Sequence, residues 1–417
     1  MPVLPGAGFS TGSCNMDTRT TTRLLMERGV IVPDPGSVYI GDDVDIDRIS
    51  GTGVTLHPGT RIIGEKTLIM AGATIGSEGP VTLDNTRVGP DTQLKGGFFQ
   101  DAVFAGKNVF GSGAHVRGGT ILEEEASAAH TVGLKQTILF PFVTLGSLIN
   151  FCDILMAGGT SRKDHSEVGS SFIHFNYTPN QDKATPSMLG NVHQGVMLNQ
   201  RPVFMGGQGG LVGPCRLAFG TVTAAGTIWR KDETRPDRIL FGGALKEGSI
   251  PRKAGVYTGP GRIYTANCSY IAGLISLMNW YRIVRSLFVV DHLSEALFLG
   301  MRETLQSCID ERIKRLGDFC TRLNASRKIL LSRSRGETTE LIRIHEAIIQ
   351  GWPRTLEILA REACHDHCNT VPEPFLKAIT NKGSYIEAIK HLDTDTALTG
   401  SNWLQTIKLS IMEKIKL

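Results

Sequence analysis

The chain has 417 residues, 41% hydrophobic and 20% charged, which is enough apolar material for a large core and excludes a disordered polyelectrolyte. A net charge of +4 with a pI near 8.6 excludes a strongly basic nucleic-acid binder unless positive charge gathers locally. The eight cysteines show no disulfide-like spacing, which favours a reducing compartment, and a length prior of about 150 residues per domain allows two or three units.

Composition favours two units, because most of the 48 glycines precede residue 262 and the remainder reads as helix formers. Residues 1–35 form a lead-in, with a helix expected from Thr18 to Arg28 and ended by Gly29. The N-terminus lacks a basic start and a long apolar run, so no signal peptide is expected and the location expected is cytoplasmic.

Residues 36–260 carry a six-residue beat, an aliphatic residue followed by a small or acidic one. Ile40-Gly41, Ile46-Asp47, Ile75-Gly76, Val88-Gly89, Val132-Gly133, Leu145-Gly146, Val168-Gly169 and Leu189-Gly190 mark it, and Met205, Leu211 and Leu217 keep strict step. A period of six suits neither an amphipathic helix nor a lone strand; it fits a chain wound into short strands with a turn after each. Three such hexapeptides make one three-sided turn, so the 18 residues from Met205 to Thr223 are expected to complete a single coil. The beat breaks between Phe98 and Phe142, notably at Glu123-Glu124-Glu125, and nearly vanishes from Leu155 to Asp164, which predicts loops pushed out of the coil. The uncovered ends of such a coil require caps.

After a linker from Gly242 to Arg262, residues 261–417 change to helical spacing. Leu274, Leu277, Met278, Tyr281 and Val284 predict an amphipathic helix. Asn279, Arg282 and Arg285 interrupt Ile271 to Val290 as a membrane span, so no membrane partner is expected. Further helices are expected over Leu293–Ser332, Thr338–Gln350, Arg354–Cys364, Pro374–Asn381 and Asn402–Lys416. The basic run from Arg312 to Arg335 reads as a solvated helix face, and nucleic acid is not an expected partner. Cys364-His-Asp-His-Cys368 matches no common zinc spacing, so the metal expectation is none.

The stretch Val168-Gly-Ser-Ser-Phe-Ile-His-Phe-Asn-Tyr-Thr-Pro-Asn-Gln-Asp-Lys183, then Leu189-Gly190, Met205-Gly-Gly-Gln-Gly-Gly-Leu-Val-Gly-Pro214 and Thr223-Ala-Ala-Gly-Thr227, resembles one known family. It is similar to the acetyltransferase domain of the bifunctional bacterial UDP-N-acetylglucosamine pyrophosphorylase and glucosamine-1-phosphate acetyltransferase, a hexapeptide-repeat acyltransferase. The resemblance covers roughly residues 140–232. It implies a left-handed parallel β-helix, here followed by a C-terminal α-helical domain, and a homotrimer with a site between subunits where acetyl-CoA, as co-substrate, meets an amino sugar phosphate or nucleotide sugar. By position, Asn176, Tyr177 and Lys183 would contact the sugar phosphate, and Gly207 and Ala225 would line the cofactor groove.

This chain departs from the family pattern at the base. Phe151 falls nearest the place of the family's catalytic histidine, and Gly207 stands where the family has serine. His165 is the first candidate for a replacement base, because Glu167 at i+2 on a strand would share its face; His174 is the second. Arg162 and Lys163 sit on a glycine-rich stretch that reads as an extruded arm carrying cations toward an anionic ligand. The expected function is acyl transfer to an amino sugar; the competing expectation is a trimeric β-helix scaffold or sugar-nucleotide binder that has lost the base.

Overall fold

The structure is a computed structural model that describes residues 18–176, 178–242, 247–249, 251–334, 337–365, 370–380 and 383–416. Residues 31–240 wind into a parallel β-solenoid in which each turn lays a short strand on three faces, here called A, B and C in chain order. Face A has ten strands, from Thr55–Leu56 to Ile239–Leu240. Faces B and C merge into one sheet because Gly133–Leu139 and Asn150–Met156 run around the corner between them without a break. The one-turn period expected from the sequence is realised where Met205 pairs with Thr223.

Inward positions stack as aliphatic columns, such as Leu56, Ile75, Leu94 and Phe110 on face A, all fully buried. The corners explain the small and acidic residues of the repeat. At the corner leading into face A, Gly72, Asp91, Lys107, Glu125 and Phe142 occupy one left-handed backbone slot in successive turns, with φ from 51° to 74°. L-residues adopt that region at a cost, and Asp tolerates it better than most. Gly72 is required there, since a Cβ would lie 2.2 Å from Asp91 Oδ1.

Helix α1 (Thr18–Glu27) covers the first turn, with Leu25 fully buried and the Thr18 hydroxyl donating to the Ile40 carbonyl at 2.9 Å. Two excursions leave the corner between faces C and A. The first is an antiparallel hairpin, Gly159–Ser161 with Asp164–His165; the second, one turn later, contains the short helix α2 (Val192–Gly195). The glycine-rich stretch therefore follows a strand but opens into a hairpin, with no helix after it to aim amides at a phosphate.

Beyond the coil lie α3 (Pro260–Ile283), α4 (His292–Arg333), α5 (Glu340–Cys364), α6 (Glu373–Ile379), α7 (Tyr385–Lys390) and α8 (Thr394–Lys414). The sequence expectation for α3 needs correction: the helix is not half-exposed but buried on almost every side, packed among α2, α4, α5 and α8. The two helices expected around Pro353 are one, since α5 carries that proline inside it. The helices α2 and α7 were not anticipated.

The helical layer lies along the side of the coil. Helix α4 packs on the face C strands Leu68–Ile69, Arg87–Val88, Ala102–Phe104 and Thr120–Leu122. This docking accounts for the acidic interruption of the repeat. Glu123, fully buried, accepts from Tyr281 Oη at 2.6 Å and Arg285 Nη2 at 3.0 Å, while Glu124 receives the same guanidinium at 2.7 Å. Arg285 also stacks 3.5 Å over the Tyr385 ring. The basic run of α4 is a solvated face in part, with Lys314, Arg322, Lys328 and Arg333 exposed, whereas Arg312 is 2% exposed and pairs with Asp153 at 3.0 Å, and Arg327 pairs with Glu346 at 2.7 Å.

Candidate functional site

The C/A hairpin positions His165. Gly158 and Gly159, both at positive φ, turn the chain outward, and a Cβ on Gly159 would lie 2.6 Å from the His165 Cα. The imidazole Nδ1 is 2.9 Å from the Arg162 carbonyl oxygen. A carbonyl only accepts, so Nδ1 carries the proton and Nε2 presents its lone pair, the tautomer a general base needs. Glu167 Oε2 stands 3.7 Å from Nε2, close enough to stabilise the imidazolium formed on proton uptake. Glu167 lies near His165, but on a separate strand, Glu167–Val168 of face A rather than Asp164–His165 of the hairpin, and the carbonyl rather than the carboxylate fixes the tautomer. The ring is only partly covered, with 19% of its side chain accessible.

Arg162, at the hairpin tip, folds back onto the coil. Its Nη1 donates to the carbonyls of Glu125 at 3.0 Å and Phe142 at 2.9 Å and to Thr144 Oγ1 at 2.9 Å. That guanidinium is spent on capping rungs of the coil. Lys163 beside it is exposed.

His174 has the opposite setting. It is 2% exposed and occupies an inward slot of face B, in register with Leu211. Nδ1 donates to the Cys152 carbonyl, Nε2 accepts from Ser187 Oγ at 2.7 Å, and Ser187 Oγ in turn accepts from the Cys215 amide at 3.1 Å. Both ring nitrogens are engaged inside the coil, and burial holds the imidazole down at about 4. It has no face toward a substrate. Phe151 is also inward and fully buried, edge-on to Phe172 at 6.2 Å.

Asn176 and Lys183 lie on the loop at the corner between faces B and C; Tyr177 lies outside the described residues. The loop is held by the helical layer. Asp182 accepts from Tyr257 Oη at 2.6 Å, the Ala184 carbonyl from Asn267 Nδ2 at 3.0 Å, and the Lys183 carbonyl from Arg312 Nη1 at 3.4 Å. The Lys183 side chain stays exposed. These anchors carry no motif that marks them: Tyr257, Asn267 and Arg312 are ordinary residues of a linker and two helices until the fold brings them together.

Gly207 and Ala225 lie at the third corner, between faces A and B. Over successive turns that corner presents Gly169-Ser170, Gly206-Gly207 and Ala224-Ala225, stacked so closely that a Cβ on Gly206 would lie 2.5 Å from the Ala225 nitrogen. The result is a partly exposed strip of small residues without bulky side chains. The expected site residues therefore occupy three corners of one coil: His165 at C/A, Asn176 and Lys183 at B/C, Gly207 and Ala225 at A/B. Within one protomer they do not converge.

Among the described residues no group of three or more His, Cys, Asp or Glu side chains could hold a metal ion, and Asp366, His367 and Cys368 of the cysteine-histidine cluster lie outside those residues. Among the described residues no helix is long and apolar enough to cross a membrane.

No family model matches the chain. It is similar to the bifunctional protein GlmU of Clavibacter sepedonicus, 29% identical over 204 residues that make up 49% of this chain and 36% of that protein. It is also similar to the bifunctional protein GlmU of Corynebacterium jeikeium, 25% identical over 56% of this chain and 44% of that protein. The bifunctional protein GlmU of Kineococcus radiotolerans is 27% identical over 51% of this chain and 38% of that protein. The chain thus spans less than half the length of these curated relatives. The similarity and the β-solenoid agree with the resemblance to a hexapeptide-repeat acetyltransferase domain.

Proposed function

We propose that the protein is an acetyl-CoA-dependent acyltransferase acting on the amino group of an amino sugar phosphate or nucleotide sugar, as a cytoplasmic homotrimer. The observation that carries this reading is the geometry of His165: Nδ1 2.9 Å from a carbonyl oxygen, which leaves Nε2 for a substrate, and Glu167 at 3.7 Å from Nε2. A base set up in this way, on a coil that resembles an acetyltransferase, fits removal of a proton from an attacking amine.

Acetyl-CoA supplies the acetyl group as a thioester, which the acceptor amine attacks directly while the C–S bond breaks and the sulfur leaves as thiolate, to be protonated afterwards to the thiol. His165 Nε2 takes the proton that the nitrogen sheds, and Glu167 offsets the positive charge then held by the ring. Lys183 neutralises the phosphate of the acceptor, with Lys163 in the same role from the hairpin and Asn176 and Tyr177 on the sugar hydroxyls. The partly exposed strip of small residues at Gly207 and Ala225 accommodates the cofactor, and its amides offset charge developing on the carbonyl oxygen. Because these groups occupy three corners of one protomer, the reading requires neighbouring subunits to bring different corners together. Face C is sheathed by α4, which leaves faces A and B for that contact. Leu148, Ile173 and Phe204, exposed by 52%, 40% and 40% at or beside the A/B corner, suit such a seam.

A second reading is favoured by Phe151, a buried ring nearest the place of the family's base: a trimeric scaffold or sugar-nucleotide binder without turnover. Thiol release from acetyl-CoA in the presence of glucosamine 1-phosphate separates the two. The acyltransferase reading expects release that falls at least ~100-fold in His165→Ala. Binding of the sugar phosphate with no release by the unaltered protein would establish the scaffold instead.

A further inference from the structure

A cavity lined by none of the expected site residues opens elsewhere in the molecule. It runs along the B/C edge of the coil beneath α4, with a volume of about 1060 Å³, and is walled by the corners at Lys66, Asp101, Gly118-Gly119 and Lys135-Gln136 and by α4 from Leu299 to Arg315. Seven basic and four acidic side chains line it, so the cleft carries a positive excess. Part of this charge is already committed: Glu303 pairs with Arg87 at 2.6 Å and Lys66 at 3.3 Å, and Arg315 with Glu311 at 2.8 Å. Among the described residues no hydrogen bond or ion pair engages the ammonium groups of Lys135 and Lys314.

Three polar groups in the lining have a donor or acceptor that no protein group meets, Arg302 Nε among them. Arg87, 5% exposed, has an unpaired Nε, and Gln136, 9% exposed, has an unpaired Oε1 while its Nε2 donates to the Gly118 carbonyl at 3.5 Å. Gln136 can lie there only because residue 119 is glycine, where a Cβ would come 2.1 Å from its Nε2. A buried acceptor calls for an O–H or N–H donor, whereas the ammonium groups call for an anion. We propose that the cleft between the B/C edge and α4 is a binding site for a phosphorylated sugar, with Lys135 and Lys314 on the phosphate and Gln136 Oε1 accepting from a sugar hydroxyl.

The chemistry needs both features at once. Inorganic phosphate satisfies the cations but brings no hydroxylated body to Gln136, and an uncharged sugar leaves the cations unpaired. The volume suits a small molecule of sugar phosphate or nucleotide sugar size. The cleft adjoins the polar loop through Arg312, whose neighbour Glu311 lines the cleft and which itself holds the Lys183 carbonyl. The assignment rests on the cleft alone and stands whether or not the protein transfers acyl groups.

Calorimetric titration of the full chain with glucose 1-phosphate, inorganic phosphate and glucose tests it. Glucose 1-phosphate is expected to bind ~10-fold or more tightly than either fragment, and Lys135→Ala or Lys314→Ala to weaken it by about 10-fold. Gln136→Met is expected to bring the affinity for glucose 1-phosphate down to that for inorganic phosphate. A loss of about 10-fold in Lys314→Ala that is equally large in a Lys183→Ala background places the ligand in this cleft rather than on the polar loop. Absence of saturable binding at millimolar concentration, equal affinity for glucose 1-phosphate and inorganic phosphate, or binding lost in Lys183→Ala and unchanged in Lys314→Ala would each overturn the assignment.

Discussion

Two histidines nine residues apart have opposite settings in the coil. His165 is held on an excursion with its tautomer set by a backbone carbonyl, and His165→Ala should leave the thermal midpoint almost unchanged while removing turnover, a pairing that differential scanning fluorimetry and a thiol-release assay together check. His174 belongs to the interior, where burial lowers its pKa from 6.5 to about 4 against the opposing pull of the Cys152 carbonyl. The folded form is thus the neutral ring. Its contribution to stability is complete above pH 6.5, declines as pH falls and is lost through pH 4, an effect on the order of 3 kcal/mol. His193, also lowered to about 4 by burial, adds in the same direction. Unfolding midpoints from pH 7 to 4 should fall more steeply for the unaltered protein than for His174→Gln; parallel curves would contradict the interior role. The nearness of His165 and Glu167 is legible from their i, i+2 spacing, although the two residues lie on separate strands, Asp164–His165 of the hairpin and Glu167–Val168 of face A. The burial of His174 is not legible, because a polar residue in an aliphatic column breaks the pattern by which inward positions are recognised, and only its register with Leu211 reveals the slot.

At the scale of elements, the repeat and most helix positions could be read from periodicity, whereas the docking between them could not. The sequence shows Glu123-Glu124-Glu125 only as a break in the beat. The structure shows a socket for Arg285, which carries the junction of α3 and α4 into the coil. Burial raises the Glu123 pKa and the guanidinium opposes that shift, so the carboxylates depend on their partner. Arg285→Ala should cost about 3–5 kcal/mol in urea denaturation, and adding Glu123→Gln should recover part of that loss by removing the unpaired charge. Similarly, Arg312→Ala removes both the ion pair to Asp153 and the hold on the Lys183 carbonyl. Amide exchange in the loop from Thr178 to Ala184 should then quicken while the coil's aliphatic rungs stay protected. The polarity of α3 departs from its pattern for a related reason: the Leu274 to Val284 stripe is real, but α5 and α8 also pack on the helix, a fact that lies in residues far along the chain.

The whole molecule is a coil with one side sheathed and two sides free, and its candidate groups distributed over all three corners. On the proposed reading that distribution makes the oligomer part of the mechanism rather than an addition to it, because a single protomer holds His165 and Lys183 at different corners. Sedimentation equilibrium should accordingly give a trimer. The measurement that tests the account most directly is subunit complementation. His165→Ala and Lys183→Ala proteins, each inactive alone, are dissociated, mixed in equal amounts, reassembled and assayed for thiol release from acetyl-CoA with glucosamine 1-phosphate. A site assembled across a subunit seam predicts recovery of roughly a quarter of the unaltered activity in the mixture. Mixtures as inactive as their components, formed from preparations shown to exchange subunits, would contradict a shared site and with it the acyltransferase reading.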